Sequence, residues 1–305
     1  MPQAAPAASE YRASLPAIWS ALIAVYLIWG STYLAIRYAV ETTPPFLMAA
    51  VRFIASGGFL YALRRCRGDP RPEAVEWRSA AIIGIFLLVG GNGGVAWAEQ
   101  FVTSSLAALL VATVPLWMVL IDTFRSTGKR PGLVAVVGIL IGFVGVVLLI
   151  GSTASGADTA NLPGAAALIF ASLSWATGSI YGKSAKLPAS QLLGTGMGML
   201  AGGVALMLLA IVRGEWSGFE LAAVSQRSAF ALAYLTVIGS SAFVAYVWLL
   251  RVAPTPLVAT YAYVNPLVAV LLGYFLAQEA MTVHTLLAAG LIIGSVVLVS
   301  TPRRQ

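Results

Sequence analysis

Ten runs of about twenty mostly apolar residues divide this chain, at 16–37, 45–64, 79–100, 104–123, 132–150, 163–183, 190–212, 228–250, 256–276 and 283–301. A helix rises about 1.5 Å per residue, so each run reaches across a hydrocarbon core of roughly 30 Å. Strands of a membrane barrel would alternate apolar and polar residues over about ten positions. The run from Val134 to Ile150 does not alternate. Charge supports the same reading: 10% of the residues are charged, against roughly 25% in a soluble domain, whose surface must face water. The sequence therefore specifies an all-α integral membrane protein with ten transmembrane helices, and the lipid bilayer is its first partner.

The Ala- and Pro-rich tail 1–15 precedes a run long enough to span, with no A-x-A-like site after it, so that run reads as a retained helix. The single cysteine, Cys66, lies in an Arg-rich loop and excludes an intramolecular disulfide. A net charge of +7 invites a nucleic-acid reading, but its distribution argues against one. With the N-terminus inside, fourteen of the eighteen Lys and Arg fall on the inner side, in clusters such as Arg64–Arg78 and Arg125–Arg130. Arg37, Arg213 and Arg227 fall outside, and Arg52 lies within a span. This is the positive-inside pattern of a multi-pass protein of the cell membrane, of the bacterial inner-membrane kind, with both termini cytoplasmic.

An internal repeat sets the architecture. A shift of 146 carries Tyr26, Trp29, Tyr33 and Arg37 onto Ser172, Trp175, Ser179 and Lys183. A shift of 151 carries Trp97, Leu106, Ala108, Pro115, Leu116, Val119 and Leu120 onto identical residues from Trp248 to Leu271. A shift of 152 carries Gly138 and Gly142 onto Gly290 and Gly294. The expected organisation is a repeat at 16–150, an outer linker at 151–162, a second repeat at 163–301 and a tail at 302–305. Because five is odd, the second copy enters from the opposite side. The halves are then two inverted five-helix repeats, a form typical of alternating-access carriers with a site near the midplane.

The residues also carry a resemblance. Trp29-Gly30-Ser31-Thr32-Tyr33, Arg52-Phe53, Ala112-Thr113-Val114-Pro115-Leu116 and the stretch from Tyr261-Ala262-Tyr263-Val264-Asn265-Pro266 to Glu279 resemble the EamA-type drug/metabolite transporter superfamily, nearest its YedA-like exporter branch. The resemblance covers nearly the whole chain. It implies ten helices in two repeats, cytoplasmic ends and export of small organic compounds. One departure stands out: the second copy ends its fourth helix on Glu279, whereas the first has Ser126-Thr127-Gly128 there.

Candidate site residues follow from polarity inside spans. Tyr26, Trp29, Tyr33 and Arg37 share one helical face, as do Ser172, Trp175, Ser179 and Lys183. Polar groups avoid lipid, so these faces line the seam or the cavity between halves. Trp29 and Trp175 lie too deep for an aromatic belt, and they stand with Tyr33 and Ser179 as substrate-path candidates. Arg52 is an intramembrane cation that requires a partner, and Glu99 is a candidate for that structural pair, for substrate contact or for proton exchange. Tyr261 and Asn265 share a face of the ninth span, Asn265 either bridging helices or meeting the solute. Pro266 and its counterpart Pro115, beside Thr113 and Trp117, open the backbone hydrogen-bond ladder as pivots of a gate. The run Gly90-Gly91-Asn92-Gly93-Gly94 marks close helix packing or a broken helix that presents Asn92 to a ligand. The Gly138/Gly142 and Gly290/Gly294 pairs read as helix-packing faces.

Other classes find little support. Gly182-Lys183-Ser184 lacks the first glycine and the strand of a phosphate-binding loop. One histidine and one cysteine cannot build a zinc enzyme, and no deep carboxylate pair serves acid–base catalysis. No catalytic residue, metal ligand or cofactor is assigned. Two readings remain: a secondary carrier exporting small organic metabolites, amino-acid-like compounds or drugs, with Glu99 favouring positive charge, and a multi-pass membrane enzyme or signalling protein on the same inverted repeat.

Overall fold

A computed structural model describes residues 14–124, 133–153, 162–253, 255–258 and 260–300. The arginine cluster 125–130, the stretch Ser126–Gly128, residues 154–161 of the linker, residues 1–13 of the first tail and the tail 302–305 lie outside the described residues. The apolar runs form helices: α1 (Leu15–Ala39), α2 (Pro45–Cys66), α3 (Ala74–Ala98), α4 (Ser104–Thr123), α5 (Leu133–Thr153), α6 (Leu162–Gly182) and α7 (Gln191–Val212). Then follow α8 (Gln226–Tyr246, continuing helically to Val252), α9 (Thr255–Val258 and Tyr261–Ala277) and α10 (Val283–Ser300). Among the described residues seven are long and apolar enough to cross a membrane, and Val136–Leu148, Val264–Ala277 and Val283–Leu298 are shorter apolar stretches of α5, α9 and α10. Their outward faces expose Leu27, Phe59, Val147 and Phe275, which suits hydrocarbon and would not suit water.

Lipid tails are as apolar as leucine, so small residues that let backbones approach hold such helices together. Here the close approaches come in matched pairs. A methyl on Gly57 of α2 would stand 2.7 Å from Leu200 N of α7, and one on Gly203 of α7 would stand 2.8 Å from Ile54 N of α2. Adding 146 to one partner and subtracting it from the other turns the first contact into the second. For α5 and α10 the same operation at 150 turns Gly142 against Ser295 into Gly145 against Ile292. The buried and exposed positions of 136–148 and 286–298 also coincide at that offset.

This corrects the glycine alignment at 152. Gly142 is packed, but a methyl on Gly290 or Gly294 would meet nothing within 4 Å. Glycine identity misplaced the register by two positions because small residues recur every few positions in such helices. Burial tracks the packing face itself.

Two helices contain π-helical segments at matching places, Ile85–Gly93 in α3 and Leu235–Gly239 in α8. Such segments displace hydrogen bonds and recur at functional sites. Here seryl hydroxyls from neighbouring helices donate to carbonyls 150 residues apart, Ser174 Oγ to Phe86 O at 2.7 Å and Ser56 Oγ to Thr236 O at 2.9 Å. The glycine run therefore does not break α3. Gly90 and Gly94 bring its backbone onto Ser174 and Ala171 of α6, as the packing reading expects.

Candidate functional site

A cavity of ≈ 100 Å³ lies in the middle of the bundle, walled by residues of α1, α2, α3, α4, α6, α8 and α9. Of the sequence candidates, Trp29, Tyr33, Arg52, Asn92, Pro115, Trp175, Tyr261, Asn265 and Pro266 all stand on its wall. A second cavity, of ≈ 250 Å³, adjoins it and runs toward Leu187, Pro188 and Gln191. Trp29, Trp175 and Phe243 border both, so these three rings stand between the cavities.

The two tryptophans are held differently. Trp29 packs within 5.0 Å of the Phe243 and Tyr246 rings and 5.3 Å of Tyr261. Trp175 instead lies against Gly91, where a methyl would stand 2.9 Å from the indole. Trp29 is built into an aromatic cluster; Trp175 rests on bare backbone and is half-buried.

Four candidates are elsewhere. Ser179 lines the second cavity, because the step from Trp175 to Ser179 runs toward the Lys186 end, whereas the step from Trp29 to Tyr33 runs toward the Glu279 end. Thr113 is fully buried and donates to Leu110 O at 2.6 Å, at the joint where α4 turns before its second segment. Trp117 packs on Phe143 of α5 with its Nε1 unpartnered. Glu99 is 1% exposed, and neither carboxylate oxygen has a hydrogen-bond partner.

The Arg52–Glu99 pair does not form among the described residues. Arg52 lies over the Phe53 ring at 4.6 Å and faces the central cavity. Arg37 takes the place beside Glu99, but through the backbone, donating to Glu99 O at 3.2 Å and to Val102 O. The prolines also differ. Pro115 heads a new helical segment after a turn at 112–113, whereas Pro266 sits inside the continuous segment Tyr261–Ala277. Asn92 serves its own helix, donating from Nδ2 to Leu87 O at 3.3 Å.

Sequence reasoning missed the strongest polar lock. The Glu279 carboxylate accepts from Ser104 N (2.8 Å), Ser104 Oγ (2.7 Å), Ser105 N (3.0 Å) and Ser105 Oγ. The first turn of α4 has orphan backbone donors and a positive dipole end, so a carboxylate fits there. Gln278, with φ 53°, turns the chain so that Glu279 can reach it. Phe243 was also missed. It lies 151 positions beyond Asn92, so the repeat could have pointed to it.

With this geometry in place, comparison with known proteins is informative. The sequence pattern of the EamA-like transporter family matches residues 16–151 and 162–301. The inner membrane transporter YedA of Escherichia coli K12 is 42% identical over 294 residues, covering 95% of this chain and 92% of that protein. A chloroplastic WAT1-related protein of Arabidopsis thaliana is 25% identical, covering 93% of this chain and 69% of that protein. A crystal structure of a protein 22% identical superposes with a TM-score of 0.63, covering 94% of this chain and 98% of the other.

Proposed function

Since this chain belongs to the EamA-like transporter family and is a multi-pass membrane transporter, we propose that it is a secondary exporter of small organic solutes working by alternating access. The unit is ten crossings in two inverted five-helix repeats, 16–150 and 163–301, with both termini in the cytoplasm. The matched contacts of α2 with α7 and of α5 with α10 support the inversion. A two-fold relation reciprocates contacts in that way, and the successive contacts Gly57 with Leu200 and Tyr61 with Gly196 run in opposite chain directions, as an inverted pair requires. In this orientation the Glu279 end faces outward and the second cavity faces the cytoplasm. Relatives named as transporters favour a carrier over an enzyme, and a central wall of rings and one cation suits the holding of a solute.

The observation that carries the proposal is the cavity between the two halves, walled by residues of both, with three rings lying between it and the second cavity. A solute entering from the cytoplasm passes Ser179, displaces Trp175 from its glycine seat and rests against Tyr33, Asn265 and Tyr261. Release needs the Glu279 end to part. No step calls for a cofactor.

Purified protein in liposomes tests this. Labelled solutes taken from an export screen should show saturable uptake and counterflow, and Trp175→Ala should lower the rate at least tenfold with folded protein retained. Appearance of a chemically altered product, or counterflow unchanged by Trp175→Ala, would count against the reading.

A further inference from the structure

We propose that Arg52 forms an anion subsite in the central cavity and that the exported solutes are monocarboxylates with an apolar or aromatic body. The inference rests on the carrier reading and gives its site a substrate class.

Arg52 is 3% exposed, and its Nε has no hydrogen-bond partner. No acidic residue lies on the cavity wall, and Arg52 makes no ion pair among the described residues. An unneutralised cation inside a membrane protein is costly and faces a water-filled or ligand-filled space when it persists. The Phe53 ring attracts the guanidinium but supplies no counter-charge. The surroundings make room for it: a methyl on Gly239 would stand 3.3 Å from Nη2, and Gly239 ends the π segment of α8. Nor is the charge part of the shared scaffold. The position 146 residues on is Gly198.

A planar guanidinium fork matches a carboxylate, which leaves one cavity charge neutralised by one ligand charge. A dianion would leave a net negative charge in the bundle, and a cation would meet Arg52 without relief. Trp29, Trp175, Phe243 and Tyr261 provide the face for an apolar or aromatic body. Asn265 Oδ1 is buried, lines the cavity and lacks a partner, so it can accept one hydrogen from a hydroxyl or amino group on the same solute.

Three probes sharing one carbon skeleton separate charge from shape: phenylacetate, 2-phenylethanol and 2-phenylethylamine. Equilibrium dialysis against purified protein should show binding of phenylacetate only. Arg52→Gln should weaken it at least tenfold, and Arg52→Lys should restore part of it. The ligand-free protein provides a second measurement. Arg52→Met should raise its melting temperature, since it removes an uncompensated buried charge, whereas loss of a structural ion pair would lower it. Binding of the alcohol or amine as tightly as the acid, binding of none of the three, equal stabilisation by chloride, or acid binding unchanged in Arg52→Gln each overturns the proposal. Phenylacetate held by Arg52 without flux in liposomes would instead defeat the carrier reading alone, and flux of a cationic solute would spare that reading and defeat this one.

Discussion

The two ends of the bundle are fastened by different means, and under the proposed orientation the contrast corresponds to a state closed toward the outside. At one end the buried Glu279 carboxylate ties α9 to the start of α4 through four hydrogen bonds. Arg37 joins α1 to the carbonyls of Glu99 and Val102, and Tyr38 donates to Leu276 O at 3.1 Å. Among the described residues the ion pairs at the other end are Arg64–Asp69 and Lys186–Glu73, the latter with side chains 59% and 63% accessible. Hydrogen bonding to Arg64 holds the Asp69 carboxyl below its ordinary pKa, but that pair closes a loop between residues five apart, and an exposed pair such as Lys186–Glu73 contributes little. The second cavity opens toward this weaker end.

The asymmetry is already present in the sequence. Shifting Glu279 back by 151 gives Gly128, and shifting Ser104 and Ser105 forward gives Thr255 and Pro256. A matching lock at the Lys186 end would have neither its carboxylate nor its paired serines.

The largest effect should come from Glu279→Ala, which strands two backbone donors and two hydroxyls at the head of α4. It should lower stability in detergent by about 3 kcal/mol, measured by thermal unfolding, and a loss no greater than that of a surface mutant would dissolve the contrast between ends. Arg37→Met should cost about 1.5 kcal/mol, since two carbonyls lose one charged donor while water can reach part of the gap. Lys186→Met should leave the melting curve unchanged, because both partners are already hydrated. Equal effects of Arg37→Met and Lys186→Met would show the two ends to be fastened alike.

Much of the architecture was legible because lipid imposes simple rules. Apolar runs of helical length marked the helices, and recurring tryptophans and prolines marked the duplication. The cavity wall was largely legible for the same reason, since polar and aromatic groups deep in spans have few places to go, and Trp29, Tyr33, Asn92, Trp175, Tyr261 and Asn265 went to one place. Partner choice was not legible. Arg52 and Glu99 carry opposite charges in the half of the bundle where α2 begins and α3 ends, yet Arg52 turns to the cavity and Arg37 reaches toward Glu99, because helix rotation decides which faces meet. The destination of Ser179 was hidden as well, since the same spacing leads to opposite ends of the bundle in α1 and α6. The π segments were signalled only by a glycine run whose structural and functional readings look alike in sequence.

Side-specific labelling of the cavity tests the account most directly. In a Cys66→Ser background, Val111→Cys places one thiol on the central wall, and an impermeant maleimide is applied to either face of oriented vesicles. The account predicts labelling from the cytoplasmic face at rest, labelling from the outer face as well during turnover, and a shift toward outer labelling in Glu279→Gln. Access from a single face under every condition, turnover included, would contradict it.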